Sequence, residues 1–339
     1  MIMISVVIPL YNKAHTIVNT LNTVLNQTYQ NFEVVIINDG STDNGVEIIK
    51  QNFNDSRIKI INQKNAGVSV ARNRGVKEAK GDWIAFLDAD DEWLPEYLST
   101  LISALAHYPD AEMIGCSSYY KDYISGEVSA NALIDKYYGK CVRINYFMNP
   151  DKMTHIGATI LLKSAFLQVG GFDTQLINNE DLLLLGLIAM RDNFVYIGQC
   201  LHVYVGNVTG QSTSNNSKRS LRILNSIEVL NRFYNTYHQY GGRNKLVPIY
   251  IKYRSRNILL NLLNNKEYSL LDEAVSLLNF NINYVFHFKT ILINPTFNKV
   301  CIMYIYITKL IWRMHGFPRV GTCSKYNRIL IIKYNSIKH

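Results

Sequence analysis

Asp88, Ala89, Asp90 and Asp91 place three carboxylates within four residues, directly after the apolar run Trp83-Ile84-Ala85-Phe86-Leu87. Like charges held that close repel one another unless something positive sits among them. A hard divalent cation, Mg2+ or Mn2+, would satisfy them. Such ions take one or two carboxylates plus the phosphate oxygens of a substrate, which fits a nucleotide-diphosphate ligand. The competing reading of the same residues is a solvated acidic turn capping the helix that begins near Pro95. Asp39 is open to the same choice, because Asp39-Gly40-Ser41 is also ordinary turn chemistry. A further acidic pair, Glu180-Asp181, opens the apolar run Leu182 to Met190.

The elements that must position these groups follow from the apolar pattern. Val6 to Leu10 reads as a short buried strand, and Ile17, Leu21, Val24 and Leu25 then recur at helical spacing. Phe32 to Ile37 forms a second strand that runs into the turn-rich segment 38–44. Ile58, Ile60 and Ile61 mark a third, Asn65-Ala66-Gly67 a loop, and Val70 to Ala79 a helix. Trp83 to Leu87 is the fourth strand, and Leu98, Leu101, Ile102 and Leu105 line the next helix. Strand and helix alternate as in a parallel α/β sheet. Open parallel sheets bind ligands beyond the carboxyl ends of their strands. Pro9-Leu10-Tyr11-Asn12, Asp39-Gly40-Ser41 and the Asp88 to Asp91 group all fall there, on one crevice.

Residues 121–155 are less periodic and read as a long functional excursion, and Gly170-Gly171-Phe172-Asp173 is a turn. From Arg219 the pattern becomes helical, with Ile223, Ile227, Leu230, Tyr234 and Tyr237 on one stripe. A boundary is expected in the Ser/Asn-rich stretch from Thr213 to Ser220, separating a catalytic domain at 1–215 from a basic, mainly helical region at 216–339.

Charge divides the same way. Residues 1–240 hold 20 Lys and Arg against 23 Asp and Glu, whereas residues 241–339 hold 15 against 3, so the formal +9 of the chain belongs to its last third. After Glu273 nine basic residues follow without an acidic one, interleaved with Tyr304, Tyr306, Trp312, Phe317, Tyr326 and Tyr334. Five cysteines with no Cys-x-x-Cys pair argue against a disulfide framework or zinc site and for a reducing compartment, the cytosol by default. The first nine residues lack a basic n-region and a small-residue cleavage site, and read as a strand. The longest apolar stretch, Val300 to Trp312, is 13 residues long and interrupted by Lys309, too short for a membrane span.

Taken together the segments resemble the inverting family 2 glycosyltransferases of GT-A fold. The resemblance rests on Ser5 to Asn12, Phe32 to Asp43, Asn65-Ala66-Gly67 with Ala71 to Gly75, Asp88 to Asp91, and Gly170 to Asp173 with Glu180-Asp181, in order, over about residues 3–215. It implies a Rossmann-like, mostly parallel sheet with flanking helices. It also implies transfer of a sugar, most commonly from a UDP-sugar, to a glycan or lipid-diphosphate-linked acceptor in bacterial surface-polysaccharide synthesis, with Mn2+ or Mg2+ as cofactor. In that reading Asp90 holds the metal, Asp88 hydrogen-bonds the ribose with Ala89 beside it, and Asp91 supports them. Asp39 reads the base between Pro9 and Tyr11, and Lys64 and Arg72 contact the donor, unless they are only surface charges of a loop and a helix. Asp181 is the general base, because inversion by one displacement needs one base opposite the leaving group; Glu180 is the fallback. Where many relatives carry an acidic residue and an Arg, this chain has Leu183 and Gly186-Leu187. The segment Tyr204 to Asn207 also lacks the usual Arg and His. His155 and His202 are read as structural.

Two other classes compete. Leu87-Asp88-Ala89-Asp90 also matches the start of haloacid-dehalogenase-type phosphatases, with Asp88 as nucleophile, but that leaves the Pro9 and Asp39 segments unexplained. The basic tail suggests a module for an anionic membrane surface, as a peripheral protein at the inner face of the cytoplasmic membrane. The alternative is a helical region packed on the catalytic domain with a solvated basic face. Nucleic acid is not expected, for want of a fold signature and because the crevice is acidic.

Overall fold

Ile4–Leu10 forms strand β1, and Ile4, Val6, Val7, Ile8 and Leu10 are all fully buried. A strand covered on both faces reads as a continuous apolar run; here Val6 and Ile8 enter one core and Val7 the other. The computed structural model describes residues 2–130, 133–148, 154–191, 194–209, 218–281 and 326–338, together with Met303, Ile307, Leu310 and Met314. Strands β2 (Phe32–Asp39), β3 (Ile58–Gln63) and β4 (Trp83–Phe86) run parallel to β1 in the order β3-β2-β1-β4, with Val7 opposite both Val35 and Phe86. The C-terminal ends of β1, β2 and β4 therefore open on one edge, as the alternating pattern implied.

Beyond β4 the sheet becomes mixed. Strands β5 (Glu92–Trp93), β6 (Met113–Asp122), β9 (Thr159–Leu162) and β10 (Phe194–Gly206) continue it in the order β9-β6-β10-β5. Strand β7 (Val128–Ser129) pairs with β6, and β8 (Cys141–Arg143) with β10. The long β6–β10 ladder is parallel, while the short pairings of β5, β7, β8 and β9 are antiparallel. The excursion at 121–155 thus includes two strand pieces and single turns at 135–137 and 146–148.

One face of the sheet is covered by α1 (Ile17–Leu25), α2 (Gly45–Asn52) and α4 (Tyr97–Ala104). Helix α3 (Val68–Glu78) lies against β1 and β2, with Ala71 packed on Val35 and Ile37. A β-carbon on Gly75 would overlap Val7, so glycine permits this close approach. The other face carries α5 (Lys163–Gln168) and α6 (Glu180–Ala189). It shares its core with α7 (Arg219–Gln239), α8 (Leu246–Asn264) and α9 (Tyr268–Ser276). Phe147, Phe233 and Tyr250 join these helices to the domain, with ring centroids 5.4 to 6.2 Å apart.

Helix α10 (Asn327–Lys338) docks against the β6–β7 side. Tyr119 Oη donates to the Leu330 carbonyl at 3.1 Å, the Tyr119 and Tyr334 rings lie 5.0 Å apart, and Ala130 N–H donates to Asn327 Oδ1. The boundary expected at 215/216, and the apolar stretch 300–312 apart from its positions 303, 307 and 310, lie outside the described residues. Among the described residues no helix is long and apolar enough to cross a membrane.

Candidate active site

The loops after β1 and β2 are stapled to each other by short polar side chains. Asn12, at φ 52°, accepts from Thr42 N–H through Oδ1 while its own N–H donates to Ser41 Oγ. Asp43 caps the far side, accepting from Ala14 N–H at 2.8 Å. This sets Pro9, half-buried, at the end of β1 and Tyr11, exposed, at the mouth of the crevice. Asp39 is only 3% exposed, and it reaches past its own turn to organise the β3–α3 loop. It accepts from Gln63 Nε2 at 2.8 Å and from the Ala66 and Gly67 amides at 2.9 Å. That loop carries Lys64, which is exposed.

The Asp88 to Asp91 group separates into three directions, each with its own partner. Asp88, the most exposed of the three, accepts from Arg72 Nη2 at 2.7 Å. Asp90 accepts from Lys13 Nζ at 2.7 Å, and the same ammonium donates to the Thr209 carbonyl at 3.3 Å. Asp91 is buried, accepting from Val205 N–H at 2.9 Å and meeting His202 Nε2 at 3.1 Å. Ala89 is buried, its carbonyl taking the Thr16 hydroxyl. None of the aspartates caps a helix: α4 begins at Tyr97, after Glu96, without a side-chain cap, so the capping reading is corrected.

Burial, and then the charge of Asp88, push the Asp90 carboxyl above the usual carboxylate range, against the pull of Lys13. Asp91 is pushed well above it, by burial first and by Asp88 and Asp90 next. Burial takes the His202 imidazole down to about 4, so it is neutral at pH 7. A neutral ring donating from Nε2 to Asp91 accepts at Nδ1 from the Ser118 hydroxyl, 2.9 Å away.

Arg72 is the link between the two halves of the crevice. It is 4% exposed, so the surface-charge reading of this residue is corrected. It lies one turn before Gly75 on the sheet-facing side of α3, where the close approach to β1 drives its guanidinium inward. Nη2 binds Asp88 and Nη1 binds Glu180 at 3.0 Å, while Phe172 stacks 5.2 Å from the guanidinium carbon. Burial would lower its pKa, but the carboxylates of Asp88 and Glu180 outweigh that and raise it. Arg72 Nε is buried without a hydrogen-bond partner.

Next along α3, Asn73 pins the turn that precedes α6, exchanging two hydrogen bonds with the Phe172 backbone. Gly171, at φ 74°, leaves room for this contact. Asn179, also left-handed at φ 59°, then delivers Glu180 and Asp181 as the first residues of α6. Burial and the neighbouring Asp181 raise the Glu180 carboxyl, against the pull of Arg72. Asp181 is half-buried and takes the Leu182 N–H at 2.7 Å.

The apolar residues in place of the usual polar ones on this helix have a packing reason. Gly186 admits the Phe233 ring, which a β-carbon there would overlap, and Leu183 is buried in the same core. The structure therefore brings Asp88, Arg72, Glu180 and Asp181 to one side of the crevice and Asp90 with Lys13 beside them. Asp39 and Lys64 stand at the neighbouring loop. Lys13 carries no sequence signal as a contributor. Lys13 sits in a turn with no motif to mark it, whereas His202, read as structural, anchors Asp91.

Among the described residues no three His, Cys, Asp or Glu side chains converge on a metal position. A pair of aspartates fits an ion that arrives with a diphosphate, whose oxygens complete the shell, and does not fit a free-standing metal centre.

Comparison with known proteins agrees with this architecture. Residues 5–168 match the family profile described as glycosyl transferase family 2. An Escherichia coli protein, uncharacterized glycosyltransferase YibD, is 43% identical over 116 residues, covering 34% of this chain and 33% of its own. Glycosyltransferase GlyA of Streptococcus pneumoniae is 29% identical over 211 residues, covering 59% of this chain and 30% of its own. The chain thus spans a third or less of the length of these curated relatives. In fold it is similar to S. aureus TarS 1-349 solved with UDP-GlcNAc, at TM-score 0.55 and 16% identity over 92% of both chains. The sequence from β1 through α5 thus carries the signature of glycosyl transferase family 2, and the fold agrees with a solved glycosyltransferase structure over nearly the whole chain.

Proposed function

We propose that the chain is an inverting glycosyltransferase that moves a sugar from a nucleotide-diphosphate donor, a UDP-sugar, to a hydroxyl of a glycan or lipid-diphosphate-linked glycan. The observation that carries this reading is the Arg72 bridge, through which the donor-side Asp88 and the acceptor-side Glu180 share one buried cation. Glu180 is committed to that bridge. Asp181, beside it, takes the Leu182 N–H on Oδ1 and presents its other oxygen to the acceptor hydroxyl, acting as the general base that takes the proton as the new bond forms.

On the donor side Asp39, between Pro9 and Tyr11, receives the uracil, and Asp88 with Ala89 faces the ribose. Lys64 and Arg72 add positive charge near the diphosphate. Asp90 would hold a divalent ion, Mn2+ or Mg2+, which when bound offsets the negative charge that develops on the departing diphosphate. Lys13, already on Asp90, adds a fixed positive charge on the same side. The work of the chain itself is to hold these groups in register on a rigid sheet edge.

A lipid-diphosphate-linked acceptor would set the reaction in surface-polysaccharide synthesis at the inner face of the cytoplasmic membrane. The phosphatase reading is not favoured, since it leaves Asp39 and Glu180-Asp181 without roles and Arg72 already binds one oxygen of Asp88.

Full-length protein screened against a panel of nucleotide-sugars, with and without Mn2+, tests the proposal. A UDP-sugar should raise the melting temperature and be slowly hydrolysed in an Mn2+-dependent manner. If no nucleotide-sugar does either, the proposal is wrong.

A further inference from the structure

Among the described residues, the last third of the chain carries large apolar side chains exposed to solvent. Met303, Ile307, Leu310 and Met314 are helical and exposed at 58%, 43%, 56% and 77%. Their spacing of four, three and four residues is the spacing of one apolar stripe in helical periodicity. Helix α10 repeats the character. Leu330 and Tyr334 dock it inward, while Ile329 and Ile332 point out, exposed, beside exposed Arg328 and Lys333. All six outward apolar residues belong to the segment after Glu273, in which nine Lys and Arg stand without a single Asp or Glu.

Charge decides among the occupants of such a surface. A second copy of this chain would bring one cationic segment against another. An anionic partner with an apolar interior satisfies both features at once, and a bilayer of anionic lipid has that composition: phosphates at the surface for Lys and Arg, and acyl chains just beneath for Met, Ile and Leu. A crossing segment is not required, because a helix with one apolar stripe lies in the interface plane.

We propose that this segment binds the surface of an anionic lipid bilayer, with Met303, Ile307, Leu310 and Met314 entering the headgroup boundary and Ile329 and Ile332 of the docked α10 adding to the same contact. Because α10 is fastened to β6 and β7 through Tyr119 and Ala130, lipid binding there holds the catalytic sheet at the bilayer. The inference does not depend on the sugar-transfer reading. A chain that floats with vesicles yet hydrolyses no nucleotide-sugar supports it and refutes the other.

The test is vesicle flotation of the full-length protein, with vesicles of phosphatidylglycerol in phosphatidylcholine against phosphatidylcholine alone. The protein should float with the anionic vesicles, stay behind with the neutral ones, and release as salt screens the contact. The variant Met303→Ser/Ile307→Ser/Leu310→Ser/Met314→Ser should partition at least about tenfold more weakly. Ile329→Ser/Ile332→Ser should show a smaller loss. Both should keep the wild-type circular dichroism and melting temperature. If the quadruple variant misfolds, the α10 pair reads the same prediction.

Three results would overturn the proposal. One is no flotation by the wild type, and another is flotation by both variants equal to the wild type. The third is a self-associated wild type that the quadruple variant renders monomeric without any effect on vesicle binding.

Discussion

The Lys13 ammonium lies 2.7 Å from Asp90 Oδ2, with both side chains largely buried. An internal cation thus already occupies one oxygen of the carboxylate proposed to hold the divalent ion. An ion arriving with the donor must share Asp90 with Lys13 or compete with it. Replacing Lys13 by Met removes the competing charge at short range, so apparent Mn2+ affinity in the presence of UDP should tighten about tenfold. UDP binding without metal should weaken. Calorimetric titration checks both, and unchanged Mn2+ affinity would show that Lys13 does not compete for Asp90.

Arg72 is the only described side chain that touches both Asp88 and Glu180. Removing a buried cation that serves two carboxylates leaves them uncompensated, which costs about 3–5 kcal/mol. Arg72→Met should therefore lower the melting temperature by roughly 4–7 °C, from an unfolding entropy of about 2.1 cal/mol/K per residue. Arg72→Lys should fold better but still lose transfer, because a single ammonium cannot span two carboxylates as a forked guanidinium does. A thermal melt of each variant together with a sugar-transfer assay separates the two effects.

The His202–Asp91 contact predicts an acid sensitivity of defined sign. His202 is held at about 4 when folded, below its ordinary value, so the unfolded chain takes up its proton first as the pH falls. The stability that comes from keeping His202 neutral is complete above about pH 6.5, declines as the pH drops from there, and is lost by about pH 4. Asp91 acts in the opposite sense, since its raised carboxyl binds a proton in the folded state first. The comparison is therefore with His202→Gln, which keeps a donor toward Asp91 and cannot titrate. Melts from pH 7 to pH 4 should show a steeper loss in the wild type than in the variant. Parallel profiles would contradict the assignment.

Much of this was legible in the linear sequence because parallel strands buried on both faces declare themselves as unbroken apolar runs, as Ile4 to Leu10 and Phe32 to Ile37 do. Ligand-facing groups at strand ends inherit their positions from those runs, which is why Asp39, Asp88 and Asp90 could be placed together. Lys13 and Arg72 were harder. Their partners lie far away along the chain, and whether a basic residue is solvated or buried depends on packing, such as the close approach of α3 to Val7 that Gly75 permits near Arg72. The acidic triplet misled in one respect. Its mutual repulsion is relieved by Lys13, Arg72 and the His202 contact, each reached from a different element. The apolar face at Leu183 and Gly186 became intelligible only with Phe233 of α7 in place.

The central claim is that Asp181 is the base while Glu180 belongs to the Arg72 bridge, and one paired measurement tests it. Asp181→Asn should bind the UDP-sugar with wild-type affinity while transfer to acceptor falls by about two to four orders of magnitude, the range of a general-base contribution. Transfer near the wild-type rate in Asp181→Asn, with the loss falling on Glu180→Gln instead, would contradict it.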